Sequence, residues 1–97
     1  MLTSKQRAAL SALANSENTL FQIGKSGITP ALIEQTDSAL EARELIKLRV
    51  LETAPEGARE AAEELADATD SEVVRVIGTR IILYRHNKNN TKISLPK

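Results

Sequence analysis

The segment Gly24-Lys25-Ser26-Gly27 sets a cation and a hydroxyl between two glycines, after the apolar run Thr19 to Ile23 and before Ile28-Thr29-Pro30. Thr29 suits a helix N-cap and Pro30 the first helical position, where the missing N–H removes no hydrogen bond. Ile28 and Ile33 have the N′ and N4 spacing of a hydrophobic staple. A loop of this kind offers free amides and the positive end of a helix dipole to an anion, and glycine lets a backbone approach closely. By itself, G-x-x-G is equally a plain tight turn. The loop lacks the lysine-terminated half of a Walker motif and the three-glycine dinucleotide spacing, which argues against nucleotide binding. Lys25 and Ser26 instead suit phosphate contact, the device by which KH domains clamp a nucleic-acid backbone.

Other chemistries find little support. Cysteine is absent, which excludes thiol nucleophiles, disulfides and cysteine metal sites, and His86 stands alone without a G-x-S-x-G serine. The carboxylates of residues 52–72 fit the solvated face of a helix. We therefore expect no catalysis, no metal and no cofactor. Phe21 and Tyr84 are the whole aromatic complement, too few for the base-stacking platforms of RRM or OB-fold proteins. Phe21 is expected in the core; Tyr84 either packs or offers a stacking face.

The 97 residues carry 13 bases and 13 acids, and a net charge of zero ordinarily argues against a nucleic-acid partner. The charges are segregated, however. Residues 51–74 hold eight acids against Arg59 alone, whereas Arg75 to Lys97 contains six bases and no acid. Arg80, with Arg85 and Lys88, forms a basic cluster that together with Lys25, Lys5 and Arg7 makes a candidate phosphate-binding face. An alternative reading is a protein-interaction module that docks the acidic helix 56–70 on a basic partner.

These residues must be positioned by the elements around them. Thr3 and Gln6 have capping-box spacing, and Ala9, Leu10 and Leu13 give an apolar stripe up to about Asn15. A helix is predicted from Pro30 to Arg43 with Leu32, Ile33, Thr36, Ala39 and Leu40 inward. Leu45 to Leu51 alternates as a strand with Ile46, Leu48 and Val50 inward, and Ala58 to Ala68 reads as a helix burying Ala61, Ala62, Leu65 and Ala66. Glu72 to Ile77 and Arg80 to Arg85 flank Gly78-Thr79, a two-residue hairpin loop of the II′ kind. The order is α-β-α-β-α-β-β: an α/β (α+β) domain over residues 1–97, with a mixed four-stranded sheet packed by helices. The tail 86–97 is polar and expected to be loosely held. No apolar run approaches the about 18–20 residues of a membrane span, and residues 1–20 lack a signal peptide's apolar segment, so a cytoplasmic location is expected.

The stretches Leu2-Thr3-Ser4-Lys5-Gln6-Arg7, Gln22 to Thr29, Ala39 to Lys47, Val76-Ile77-Gly78 and Leu83-Tyr84-Arg85 occur in this order across residues 2–85. Together they closely resemble the CRM domain in its stand-alone bacterial, YhbY-like form. The resemblance implies a fold similar to the C-terminal domain of bacterial translation initiation factor three. It also implies RNA binding: a monomer that binds ribosomal RNA in precursors of the large ribosomal subunit and assists assembly, with ribosomal proteins as possible neighbours. Related plant domains act in organelle intron splicing. The family's RNA-contacting loop maps onto Gly24, Lys25, Ser26 and Gly27, and its basic surface corresponds to Arg80 and Arg85. Many members have glycine where Ser26 stands, a departure that bears on the loop's flexibility.

Overall fold

The computed structural model describes residues 2–87 and 93. Its elements are α1 (Ser4–Ala14), β1 (Phe21–Ile23), α2 (Pro30–Arg43), β2 (Leu45–Val50), α3 (Ala58–Thr69), β3 (Glu72–Ile77) and β4 (Arg80–Tyr84). Local signals account for most boundaries. At α1, the Thr3 hydroxyl accepts from the Gln6 amide at 3.1 Å and the Gln6 side chain accepts from the Thr3 amide at 3.0 Å, so two otherwise orphaned donors are satisfied. At α2, the Thr29 hydroxyl accepts from the Leu32 amide at 3.1 Å and Pro30 opens the helix. Gly78 adopts φ +58° at the first corner of the β3–β4 turn, as a II′ hairpin requires.

The strands form one sheet in the order β1-β2-β4-β3. β1 and β2 run parallel, joined by α2, while β4 lies antiparallel to both β2 and β3. A bulge between Val73 and Arg75 disturbs the outer pairing. The two faces of the sheet are covered unequally. On one, α2 and α3 enclose a core built on Ile23, Leu40, Leu48, Leu65, Ile81 and Leu83. On the other, α1 sets Leu10 and Ala14 against Leu45, Val74, Ile82 and Tyr84. This second cluster stops at Ile82, so the hairpin end of that face has no helix over it.

Four expectations are corrected. Leu13 is 45 % exposed rather than part of the α1 stripe, because Leu10 and Ala14 take the contact with the narrow covered strip. The first strand is confined to Phe21–Ile23, although the Leu20 amide still donates to the Lys47 carbonyl at 2.8 Å. Phe21 is half-buried at the sheet edge, packed against the core but not inside it. His86 and Asn87, the described start of the tail, are held in place. The Glu44 carboxylate, fully buried, accepts from the amides of Asn87 at 2.7 Å and Ile93 at 2.9 Å, and its carbonyl accepts from the Arg85 amide at 2.9 Å. Glu44 sits at φ +66°, a region L-residues avoid, and these tertiary bonds hold it there.

Candidate nucleic-acid interface

Gly24 to Gly27 form a hydrogen-bonded turn: the Gly27 amide donates to the Gly24 carbonyl at 2.9 Å. Lys25 and Ser26 occupy its corners and are exposed. Gly27 has φ +66°, and a Cβ placed on it would lie 2.9 Å from the Pro55 ring. Glycine is therefore required at this point by backbone conformation and by the loop that follows β2. Gly24 differs, since its Cβ would make an ordinary 3.8 Å contact with Leu51. The turn leads directly into the capped start of the 14-residue α2, so its exposed corners lie beside the positive end of that helix dipole.

Strand pairing decides what stands near this loop. Ile23 pairs with Val50, the Leu51 amide donates to the Ile23 carbonyl at 2.9 Å, and the Val50 amide donates to the Thr79 carbonyl at 2.7 Å. The loop and the β3–β4 hairpin thus share one end of the sheet, with the end of β2 between them. Arg80 belongs to this end. Its Cα partners are Arg49 on β2 and Ile77 on β3. Gln22 is opposite Arg49, and Lys47 and Arg75 each face Ile82. By register, Lys47, Arg49, Arg75 and Arg80 lie on the sheet face that carries α1, at or beyond the edge of its cover. Arg49, Arg75, Arg80 and Ile77 are exposed.

No ion pair engages these four bases among the described residues. Like charges directly across a strand pair are destabilising, so Arg49 opposite Arg80 works against the sheet unless an anion lies over both. The alternation that turns Ile46, Leu48 and Val50 inward leaves Lys47 and Arg49 outward, yet neither they nor Arg75 were among the expected binding residues. The alternation was legible; the register that aligns three strands was not.

The other expected residues fall elsewhere. Arg80 and Arg85 do not cluster, because β4 runs between them and five extended residues span roughly 17 Å. Arg85 lies at the opposite end of the sheet from the glycine loop. Its guanidinium donates to Asp37 at 2.6 Å, to Glu41 at 3.1 Å and to the Thr69 carbonyl at 2.8 Å, which ties α2 to the end of α3. Arg7 donates to the carbonyls of Val73 and Val74 and pins α1 to β3. Both are structural ties in this fold. Lys5 is exposed on the first turn of α1, and Lys88 lies outside the described residues. Tyr84 is 4 % exposed in the α1-side core, which leaves no face for stacking. Burial raises its phenol above the ordinary value, and the charges of Glu44 and Glu72 add to the rise.

The acids of α3 occupy the helix layer on the far side of the sheet from the basic strip. Glu60, Glu63, Glu64 and Asp67 are exposed there. Desolvation raises the Glu56 carboxyl, and the neighbouring Glu64 and Glu60 raise it further. Among the described residues no group of three or more His, Cys, Asp or Glu could hold a metal ion, and no helix is long and apolar enough to cross a membrane.

Similar proteins match the chain over almost its whole length. The "Probable RNA-binding protein YqeI" of Bacillus subtilis is 43% identical over 96 residues, covering 99% of this chain and 100% of that one. An "RNA-binding protein" of Haemophilus influenzae is 30% identical over 99% of this chain and 96% of its own length. The solution structure of the hypothetical protein SAV1595 from Staphylococcus aureus superposes with a TM-score of 0.83 at 49% identity, over 99% of this chain and 100% of that one. The sequence pattern of the CRS1/YhbY (CRM) domain matches residues 2–85. With that match over most of its length, the chain belongs to the CRS1/YhbY (CRM) domain family.

Proposed function

We propose that this protein binds RNA without catalysing a reaction, gripping the sugar-phosphate backbone between the turn 24–27 and the basic strip of the sheet. The observation that carries this reading is the meeting, at one end of the sheet, of the exposed Lys25 and Ser26 with Arg49 and Arg80, two opposed cations that form no ion pair among the described residues. Charge-assisted bonds from these groups to phosphate oxygens relieve the opposition and give affinity without reading sequence. The RNA-binding names of the Bacillus and Haemophilus relatives support the same partner. Ribosomal RNA in large-subunit precursors is the RNA class we assign, on the family resemblance, and assembly of that subunit the process, in a cytoplasmic setting.

Fluorescence anisotropy with labelled ribosomal RNA fragments tests the interface. Five bases, Lys25, Lys47, Arg49, Arg75 and Arg80, predict a log–log salt slope of about −3.5 to −4.5, at roughly 0.7–0.9 per neutralised phosphate. Lys25→Ala with Arg80→Ala should weaken binding and flatten the slope by about 1.5. Unchanged affinity in that double variant refutes the interface. Crosslinking in cells, followed by sequencing, should recover segments of precursor large-subunit RNA; recovery of unrelated RNAs alone refutes the ribosomal assignment.

A further inference from the structure

The glycine turn has a second neighbour, on the side away from the basic strip. A concave surface beside the turn is lined by Gln22, Lys25, Ser26, Thr29, Ala31 and Gln35. A larger groove along β1 and α2 is lined by Leu20, Phe21, Ala31, Gln35, Ala39 and Arg43. Ala31 and Gln35, one helical turn apart, line both, so the two are continuous. We propose that this groove takes unpaired nucleotides of single-stranded RNA, with bases on its apolar floor and phosphates toward the cations at its ends. The inference rests on the proposed RNA-binding function and names the form of RNA that the site takes.

Three observations fit this occupant. Charge is placed at the two ends, Lys25 beside the turn and Arg43 at the end of α2, with an apolar floor of Leu20, Phe21, Ala31 and Ala39 between them. Of the other acids on α2, Asp37 and Glu41 are held by Arg85, which leaves Glu34 as the acid on the groove wall. There, with Gln35 and Ser38, it offers hydrogen-bonding groups to base edges, as a carboxylate does to the cytosine amine. Finally, β1 is an edge strand. Because the Ile23 carbonyl points inward to the Leu51 amide, the alternation of a strand turns the amide and carbonyl of Gln22 to the open rim.

The dimensions suit a short strand. Ala31 to Ala39 spans about 12 Å of helix, roughly three nucleotides at the stacked spacing of 3.4 Å. A paired A-form helix cannot present its bases to such a slot. Half-exposed Phe21 supplies the one aromatic contact, and Leu20 and the alanines complete an apolar bed.

The test measures anisotropy for an unstructured RNA of about nine nucleotides and for the duplex of the same sequence. Ala31→Phe and Ser38→Trp fill the groove from positions that are exposed on α2, away from the basic strip. The expected result is tighter binding of the single strand than of the duplex, a loss of single-strand affinity of about tenfold or more in either variant, and unchanged duplex binding. In wild-type protein, the single strand should shift the methyl resonances of Ala31 and Ala39, a readout independent of any variant. Equal affinity for both RNAs, unchanged single-strand affinity in the folded variants, or unshifted methyls overturns the groove. Should Lys25→Ala and Arg80→Ala abolish RNA binding while the groove variants do nothing, RNA binding stands and the groove fails. Wild-type protein that binds neither RNA overturns both proposals.

Discussion

The glycines of this chain provide a graded test of why the turn is built as it is. Alanine at Gly27 meets two penalties. The φ of +66° costs an L-residue about 1–2 kcal/mol, and a Cβ at 2.9 Å from the Pro55 ring forces the loop after β2 to move, adding roughly 1 kcal/mol of overpacking. Gly78 meets the first penalty only, with φ +58° and open space around it. Gly24 meets neither: its φ is ordinary and the new methyl would touch Leu51 at 3.8 Å. The expected losses are about 2–3 kcal/mol for Gly27→Ala and about 1–2 for Gly78→Ala. Gly24→Ala should fall within about 0.5 of zero or be slightly stabilising. For a domain of this size that is a fall in Tm of about 10–20 °C, about 5–10 °C and almost nothing, respectively. Urea denaturation followed by far-ultraviolet circular dichroism is the suitable assay, since the chain has no Trp and a single Tyr. A Gly24→Ala variant as unstable as Gly27→Ala would refute the reasoning, as would a Gly78→Ala variant that loses more than Gly27→Ala.

Arg85→Ala should cost about 1–2 kcal/mol of stability, by removing bonds to Asp37, Glu41 and the Thr69 carbonyl, yet leave RNA affinity unchanged when folded protein is compared; a selective loss of affinity would return this residue to the interface. Glu44→Ala should cost about 2–4 kcal/mol, since it strands the Asn87 and Ile93 amides, and amide exchange should then accelerate at Asn87 before it does in β2. The Tyr84 phenol has a folded pKa above its unfolded value of 10.0, so the unfolded chain ionises first. Stability is unaffected by this group below pH 10 and falls as pH rises beyond it; tyrosinate absorbance appearing at or below the ordinary value in folded protein would contradict the burial of this ring. Reversing Glu60, Glu63 and Glu64 to Lys should leave RNA affinity equal or higher; loss of association with ribosomal precursors at undiminished affinity for isolated RNA would assign the α3 face to a basic protein partner.

Local chemistry made much of this legible. The capping box at Thr3, the Thr29-Pro30 start of α2, the positive-φ glycine of the hairpin and the inward alanines of α3 all depend on residues a few positions apart, and each is found where the pattern puts it. The basic residues were harder, because a guanidinium has the same sequence signature whether it meets phosphate or protein. Arg7 finds carbonyls 66 and 67 positions away, and Arg85 finds Asp37 at a separation of 48. Neither distance leaves a trace in local pattern.

The sequence alone determined the element order, the helix starts, the neutral but segregated charge and the glycine turn, since these follow from short-range sterics, capping and periodicity. Tertiary structure decided which charges act together. Strand register set Arg49 opposite Arg80 and brought the hairpin beside the turn, while the extended length of β4 carried Arg85 to the far end. The limited reach of α1 left part of one sheet face bare, and the edge position of β1 left a groove against α2. Such features depend on contacts between residues far apart in the chain, where loop closure and sheet pairing, rather than local preference, fix who meets whom.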